Sequence, residues 1–481
     1  MDLLIPLHDC HEPLYRQIYD KLRERILSGE LAGGKRLPSS RDLADQLDVS
    51  RNVVLLAYEQ LEAEGYVIGR SGSGTYVSDG LAGRRETAAR QQACIELSRF
   101  GAFAAAKGGS FNFPQRGGRG YRYDFAYGHS DVGCFPFEMW RRMLLRHVKA
   151  PRSALDYGPP AGSNRLREAI CAHLRRSRSV VCDSSQILIV NGSQQALDLM
   201  ARVLLERGDP VAIEDPAYQG TREVLNAAGA YLHTVPVDAS GLIADRLPSS
   251  ARAVLVTPSH QFPTGAILSL PRRRALLDWA GRANAVIIED DYDGEFRYEE
   301  QRLESLQGLD RDGRVIYVGT FSRTMFPALR LGYMVLPVSL IGAFTAAKWL
   351  CDRHTASLEQ EALADFMTSG MYERHLRRVR RRNDSARAAL LQAAREHLGD
   401  RVTMTGAGAG AHVVLWLDCK VSEEGVIAAA AARGVRVYGL SPYFAHRDPR
   451  PGILLGYARL DEAEIREGMR QLGLAIASSR G

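Results

Sequence analysis

Lysine is scarce in this chain. Of 62 basic residues only six are lysine (Lys21, Lys35, Lys107, Lys149, Lys348 and Lys420), so arginine carries nearly all the positive charge and few residues can do amine chemistry. Cysteine is sparse as well: the seven residues are scattered, odd in number and without a CxxC pair, which predicts reduced thiols rather than a disulfide framework. No run of about 18 apolar residues occurs, and the opening MDLLIPLHDCHEPLYRQ lacks a basic segment followed by an apolar one. Neither a membrane span nor an export signal is therefore expected, and the predicted location is the cytoplasm.

What is present describes an ordinary globular chain with more than one core. At 481 residues it exceeds a single domain of roughly 150 residues several times over. Hydrophobic residues make up 45% and charged residues 25%, with a net charge of +6. That charge hints at nucleic acid only if it is suitably distributed.

The first eighty residues have the periodicity of a small helical module closed by a hairpin. Leu14, Ile18, Leu22 and Ile26 repeat every four residues and predict a helix that stops at Gly29. Ser39 or Ser40 caps a short second helix carrying Leu43, Ala44 and Leu47. After a tight turn, Ser50 caps a third helix whose inward stripe is Val54, Ala57, Tyr58 and Leu61, ending at Gly65. Two β-rich stretches, 66–68 and 75–77, flank a tip of glycine and serine that includes Gly72. This order is that of a winged helix-turn-helix, whose second paired helix enters the major groove.

The candidate DNA contacts lie where such a fold would present them. Arg51 and Asn52 open the third helix beside its cap Ser50, Arg36, Ser39, Ser40 and Arg41 precede and open the second, and Arg70 sits on the wing with Gly72. Residues 1–80 nevertheless hold nine basic against thirteen acidic residues, a net of −4, so the module is no basic patch overall. Glu59, Glu62 and Glu64 fall at the far end of the third helix, away from the expected groove. A helical docking domain with a solvated charged face fits the pattern alone as well.

The segments PLYRQ, GGKRLPSSRDLADQLDVSR, AYEQLEAEGY and GSGTYV occur in the fixed order of the GntR-type DNA-binding domain, which residues 13–77 resemble throughout. Val53 departs from the threonine many relatives carry there. Residues 80–122 then change character, rich in Gly, Ala, Ser and Arg without sustained period, and read as a linker between a 1–79 module and a 123–479 domain. Eight basic residues (Arg84, Arg85, Arg90, Arg99, Lys107, Arg116, Arg119 and Arg122) against two acids give it a net of +6, which suits a solvated tether or extra contact with DNA phosphates.

In the large domain, short apolar runs at 187–190, 210–213, 253–256, 285–288 and 315–318 alternate with amphipathic stretches. This predicts an α/β domain with a mostly parallel sheet covered by helices. Polar clusters follow the strands, where open α/β sheets bind ligands. Asn191-Gly192-Ser193-Gln194 opens a helix and can hold a phosphate, or is a plain strand-to-helix turn. Glu289-Asp290-Asp291-Tyr292 supplies a carboxylate for a protonated ring nitrogen and a phenol for a ring hydroxyl; paired acids equally suit a metal or a solvated loop. Thr320, Ser322 and Arg330 offer hydroxyls and a guanidinium to a dianion, and Tyr218 can stack on an aromatic ring or simply pack.

Together DYGPPAGSNRLREAI, NGSQQALDL, EDPAY, TPSHQFPTG, IIEDDYDGEFRY, GTFSRTMFPALRLGY and LLGYARL resemble the fold-type I aminotransferases. They resemble specifically the MocR regulators, in which such a domain follows a GntR module. The resemblance implies pyridoxal phosphate as cofactor, with its phosphate on Ser193, Gln194, Thr320, Ser322 and Arg330, Tyr218 stacked on the ring, Asp290 at its nitrogen and Tyr292 at its 3-oxygen. It also implies a homodimer that binds an operator in double-stranded DNA and senses a small amino compound or B6 vitamer. The sequence departs from the family at the lysine that forms the Schiff base: GTFSK becomes GTFSR, with Arg323 at that position. A guanidinium stays protonated and cannot act as that nucleophile, so no catalytic residue is assigned and any cofactor is expected to bind noncovalently or to be absent. Lys348, in a helical stretch, is a poor substitute. A substrate-carboxylate arginine is also missing from 452–457, leaving Arg447 or Arg450 in the preceding loop.

The expected function is thus a ligand-controlled transcription regulator without ordinary transamination. The alternatives are an aminotransferase carrying a DNA-binding module and a regulator that has lost its cofactor. No metal site is assigned.

Overall fold

A computed structural model describes residues 5–7, 12–80, 95–108, 120–149, 156–298, 304–445 and 450–479. Two compact units divide the chain, Met1–Leu97 and Ser98–Gly481. Among the described residues no helix is long and apolar enough to cross a membrane.

In the first unit, helices α1 (Leu14–Leu27), α2 (Ser40–Leu47) and α3 (Arg51–Ala63) are followed by an antiparallel hairpin of β1 (Val67–Arg70) and β2 (Gly74–Val77). Ile18, Leu22, Ile26, Leu43, Val54, Ala57 and Leu61 are fully buried or nearly so and make one core with Val67 and Val77. Each large apolar side chain removed from water contributes roughly 1.5–3 kcal/mol before conformational entropy is set against it. Leu14, expected on the buried stripe, is exposed at the first position of α1, and Gln17 and Tyr19 are buried beside Ile18. Asp48 adopts a left-handed conformation, φ 51°, to turn the chain between α2 and α3.

The linker stretch contains a helix that its composition did not reveal, α4 (Arg99–Lys107), capped by the Ser98 hydroxyl, which accepts from Gly101 N at 3.1 Å. Arg84, Arg85, Arg90, Arg116 and Arg119 lie outside the described residues.

Beyond it, β3 (Tyr123–Asp124), α5 (Phe137–Val148) and α6 (Asn164–Ser177) lead into an eight-stranded sheet. Its strands are β4 (Ile187–Val190), β5 (Pro210–Asp215), β6 (Tyr231–Asp238), β7 (Gly241–Leu242), β8 (Ala253–Val256), β9 (Val286–Asp291), β10 (Val315–Thr320) and β11 (Gly332–Val335), in the spatial order 4-11-10-9-8-5-6-7. The neighbours from β10 to β6 are parallel; β11 runs antiparallel to both β10 and β4. Helices α7 (Ser193–Leu204), α8 (Gln219–Ala228) and α9 (Leu270–Ala283) are among its cover. Every residue of β4, β8 and β11 is buried, as expected of strands covered on both faces. A second core forms where the long helix Met371–His397 and the terminal helix Glu462–Ser478 pack on a four-stranded antiparallel sheet that includes His412–Trp416 and Gly452–Gly456.

Candidate DNA surface and cofactor cradle

Local chemistry orders the ends of the two paired helices. Ser39, not Ser40, caps α2, its hydroxyl accepting from Asp42 N at 3.2 Å. That leaves Ser40 to accept from Arg51 Nε at 3.2 Å, tying the start of α3 to the start of α2. Ser50 holds the cap position of α3 but makes no side-chain capping bond, so its exposed hydroxyl is free of the helix. Arg41 and Asn52 are exposed in the first turns of α2 and α3.

The wing gathers the remaining candidates. Arg36 bridges to Tyr76, and a Cβ on Gly74 would come within 2.8 Å of its Nε; Arg70 lies over the Tyr76 ring at 4.8 Å. Gly72 at the tip has φ +72°, a conformation that L side chains rarely adopt. Tyr76 is a residue that the sequence did not single out; its ring lies under Arg70, and its backbone pairs with that of Arg36. Two of the acids behind the negative net charge are structural: Glu62 accepts from Gly69 N at 2.9 Å, and Glu64 accepts from Tyr19 OH and from Gln60 at 3.1 Å.

In the second unit, the predicted ligand residues converge at the carboxyl ends of β4, β5, β9 and β10. Ser193 is the first residue of α7, after Gly192 at φ +84°. A Cβ on Gly192 would meet Arg330 Nη2 at 2.9 Å, and Arg330 donates to Asn191 O at 3.1 Å. Thr320 Oγ1 and Ser322 Oγ lie 3.1 Å apart, and Ser322 N donates to Thr320 Oγ1 at 3.2 Å. A helix N-terminus, two hydroxyls and a guanidinium so arranged can take a dianionic phosphate. Behind the turn, Lys348 is fully buried and paired with Asp352 at 2.6 Å, and Asp352 accepts from Asn191 at 2.7 Å and Gln195 at 2.8 Å. Lys348 thus buttresses the turn from its far side.

The three adjacent acids of β9 separate by the alternation of a strand. Glu289 accepts from Leu306 N and Gln307 N at 2.9 Å, and Asp291 pairs with Arg178 at 2.7 Å and accepts from Tyr317 OH at 2.5 Å. Asp290 faces the other way, and its buried Oδ1 has no hydrogen-bond partner. Burial, then repulsion from Asp291 and Asp293, raises its pKa from 3.8 to about 7, with Arg323 opposing.

Tyr218 packs edge-on to Phe262 at 5.8 Å between ring centroids, and a Cβ on Gly220 would strike its ring and lie 2.9 Å from Gln194 Oε1, so Tyr218 and Gln194 share one wall. Phe262, Tyr127 and Tyr443 form an aromatic cluster against which Tyr218, Tyr292 and Trp416 pack. The Tyr292 hydroxyl donates to His260 O at 2.9 Å and lies 3.2 Å from His260 Nδ1, so what it offers a ring hydroxyl is acceptance. His260 Nδ1 is 3.0 Å from Asp293 Oδ2, and His260, Asp293 and His412 bring ligand atoms within 4.8 Å of one another. Burial, then the electrostatic influence of His260 and Arg323, pushes the pKa of His412 well below the ordinary histidine value. His260 falls within TPSHQFPTG and Asp293 within IIEDDYDGEFRY, motifs that assigned them no role, and Tyr127 and His412 carried no local signal.

Arg323 is half-buried with its guanidinium 5.6 Å from the centre of the Tyr292 ring. Arg450 lies 5.3 Å over Trp416, at the edge of the aromatic cluster; Arg447 lies outside the described residues. A cavity of about 810 Å³ adjoins this site, walled by α4 (Phe100, Phe103, Lys107), α7 and α8, and reaching Gln194, Tyr218 and Tyr127. Lys107 pairs there with Glu223 at 3.0 Å.

The comparisons with known proteins agree with both halves. Residues 14–77 match the family model "Bacterial regulatory proteins, gntR family", and residues 124–472 match "Aminotransferase class I and II". The chain is 38% identical over 486 residues to the "Probable rhizopine catabolism regulatory protein MocR" of Rhizobium meliloti, covering 99% of this chain and 97% of that protein. It belongs to the MocR-type family of transcription regulators. A second such regulator, the pyridoxine biosynthesis regulator PdxR of Corynebacterium glutamicum, is 31% identical with 99% of each chain covered. Among solved structures, the α-aminoadipate aminotransferase LysN of Thermus thermophilus, complexed with N-(5'-phosphopyridoxyl)-L-leucine, superposes with a TM-score of 0.69 at 32% identity, covering 75% of this chain and 93% of that one. The MocR-type regulator therefore joins a GntR winged helix to a fold-type I aminotransferase domain, and the full-length relatives are named for transcription rather than catalysis.

Proposed function

We propose that this regulator binds a B6 vitamer or its amino-compound conjugate noncovalently in the cradle of the 123–479 domain. Occupancy then alters how the 1–79 module holds its operator, with 80–122 as the connection. The observation that carries the reading is Asp290: unlike Asp291 and Asp293 it makes no hydrogen bond among the described residues, and a carboxylate so placed suits a protonated pyridine nitrogen. Ser193, Gln194, Thr320, Ser322 and Arg330 would hold the phosphate, Tyr218 would cover one ring face, and Tyr292 would accept from the 3-hydroxyl. The cofactor, when bound to an enzyme of this fold, supplies an electron sink for amine chemistry. Here Arg323 stands at the Schiff-base position, where it can neither attach the cofactor nor accept a proton, so ordinary transamination is not supported.

On the DNA side, Arg36, Arg41, Arg51 and Arg70 would meet phosphates or base edges, with Ser39, Ser40, Ser50, Asn52 and Gly72 allowing close approach. The regulator would act as a homodimer on a repeated half-site in the cytoplasm. Titrating the purified chain with pyridoxal phosphate, following tryptophan fluorescence and visible absorbance beside Arg323→Lys, tests the reading. Reversible quenching in the parent, and a new absorbance band only in the variant, is the expected result. No binding by either protein would leave the domain as a dimerisation scaffold and refute effector sensing through this cradle.

A further inference from the structure

Among the described residues, two groups of the cradle, a carboxyl and a guanidinium, make no hydrogen bond and no ion pair. Asp290 is one. The other is Arg323: among the described residues its guanidinium makes no hydrogen bond and no ion pair, and it rests against the face of Tyr292. This is not how the fold treats other interior arginines. Arg178 pairs with Asp291 at 2.7 Å, and Arg273 donates to three carbonyl oxygens, those of Leu268, Glu304 and Pro258, at 2.6–2.9 Å. The acids near Arg323 are held by other partners, although the Oδ1 of Asp293 is left without a hydrogen bond. Asp293 is bonded to His260 and Asp131 to Arg382 at 2.6 Å, and both acids line a small cavity with Arg323; no ion pair joins Arg323 to Asp290.

We infer that Arg323 makes this pocket a receptor for a carboxylate carried beside the pyridine ring, so that the regulator selects a conjugated or oxidised vitamer over the aldehyde itself. The inference rests on the vitamer reading above. In pyridoxal phosphate the ring nitrogen and the aldehyde-bearing carbon are para to each other. A ring whose nitrogen meets Asp290 therefore turns its reactive substituent away from that acid and toward the residue that replaces the family's lysine. A planar guanidinium there is the wrong group for an aldehyde and the right one for a carboxylate, which it can bind through two parallel hydrogen bonds. Either the α-carboxylate of an amino acid joined to the vitamer, or a carboxylate made from the aldehyde, supplies that chemistry. Phosphate at one end, a cationic nitrogen at Asp290 and a carboxylate at Arg323 would satisfy all three charged positions at once.

The test is calorimetric titration of the full chain with a matched pair: N-(5'-phosphopyridoxyl)-L-leucine and its counterpart built on isopentylamine, which lacks only the carboxylate. Pyridoxic acid 5'-phosphate and pyridoxal phosphate are run beside them. The leucine conjugate is expected to bind about tenfold to a hundredfold more tightly than the isopentylamine one, the range of a charge-assisted hydrogen bond. In Arg323→Met the difference is expected to fall below about threefold. The leucine conjugate and pyridoxic acid 5'-phosphate, ranked against each other, distinguish the two sources of the carboxylate. Equal binding of the matched pair by the unmodified chain overturns the inference and leaves vitamer binding standing; this arm needs no variant to fold. Failure of every compound to bind refutes the vitamer reading and the inference together. A difference that survives in Arg323→Met but disappears in Arg450→Ala would move the carboxylate to Arg450 and overturn the role of Arg323.

Discussion

Asp290→Asn should stabilise the ligand-free regulator while weakening its hold on a pyridine ligand, and the size of the first effect should depend on pH. Burial and the neighbouring carboxylates Asp291 and Asp293 raise Asp290 from 3.8 to about 7. A carboxyl whose folded pKa lies above its unfolded value favours folding most below the unfolded pKa, and this contribution is lost as pH rises through the folded pKa. At 1.36 kcal/mol per pH unit, the roughly three-unit displacement sets a ceiling of about 4 kcal/mol on the cost of ionised Asp290 above about pH 7. About half of that applies near pH 5.5. Asparagine keeps the shape and never ionises, so the advantage of the variant should grow by about 2 kcal/mol between about pH 5.5 and 8.5 and then level off. Scanning calorimetry of parent and variant across that interval, without ligand, reads this as a widening gap of a few degrees in Tm. The same variant should bind pyridoxal phosphate at least about tenfold more weakly, because an amide cannot match a carboxylate opposite a cationic nitrogen. Melting temperatures that track each other at every pH, or unchanged affinity, would show that Asp290 is not an unpaired acid waiting for a cation.

Two further outcomes follow from the geometry. Single replacement of Arg36, Arg41, Arg51 or Arg70 by alanine should weaken operator binding and make the salt slope shallower by roughly one unit for each phosphate no longer neutralised; unchanged affinity and slope for all four would remove the proposed surface. Gly192→Ala places a methyl group 2.9 Å from Arg330 at φ +84°, which should cost roughly 1–3 kcal/mol of stability and weaken inorganic phosphate binding; an unaltered Tm and phosphate titration would argue against a cradle built on that turn.

The legible parts of this protein are those whose cause is local. The four-residue spacing of Ile18, Leu22 and Ile26 is itself the buried face of α1, and the runs at 187–190 and 253–256 coincide with β4 and β8 because strands buried on both faces must be continuously apolar. Where burial is one-sided or pairing is distant, local signals fail. β6, whose burial is mixed along its length, does not stand out in the sequence, and α4 is hidden in a composition that reads as a tether.

The candidate cradle divides in the same way. Sequence alone determined the two-part organisation, the cofactor-type residues at the strand ends and the arginine at position 323, since each is a matter of residue identity and order. Only the tertiary structure decided which of three consecutive acids is available. Glu289 is bonded to a helix end and Asp291 through its Oδ2 to an interior arginine on one side of β9, while Asp290 projects from the other and makes no hydrogen bond among the described residues. It also decided that Arg323 has no hydrogen-bond or ion-pair partner among the described residues and that His260, Asp293 and His412 meet. Availability is a property of what packs around a side chain, and residues scores of positions apart in the chain supply that packing.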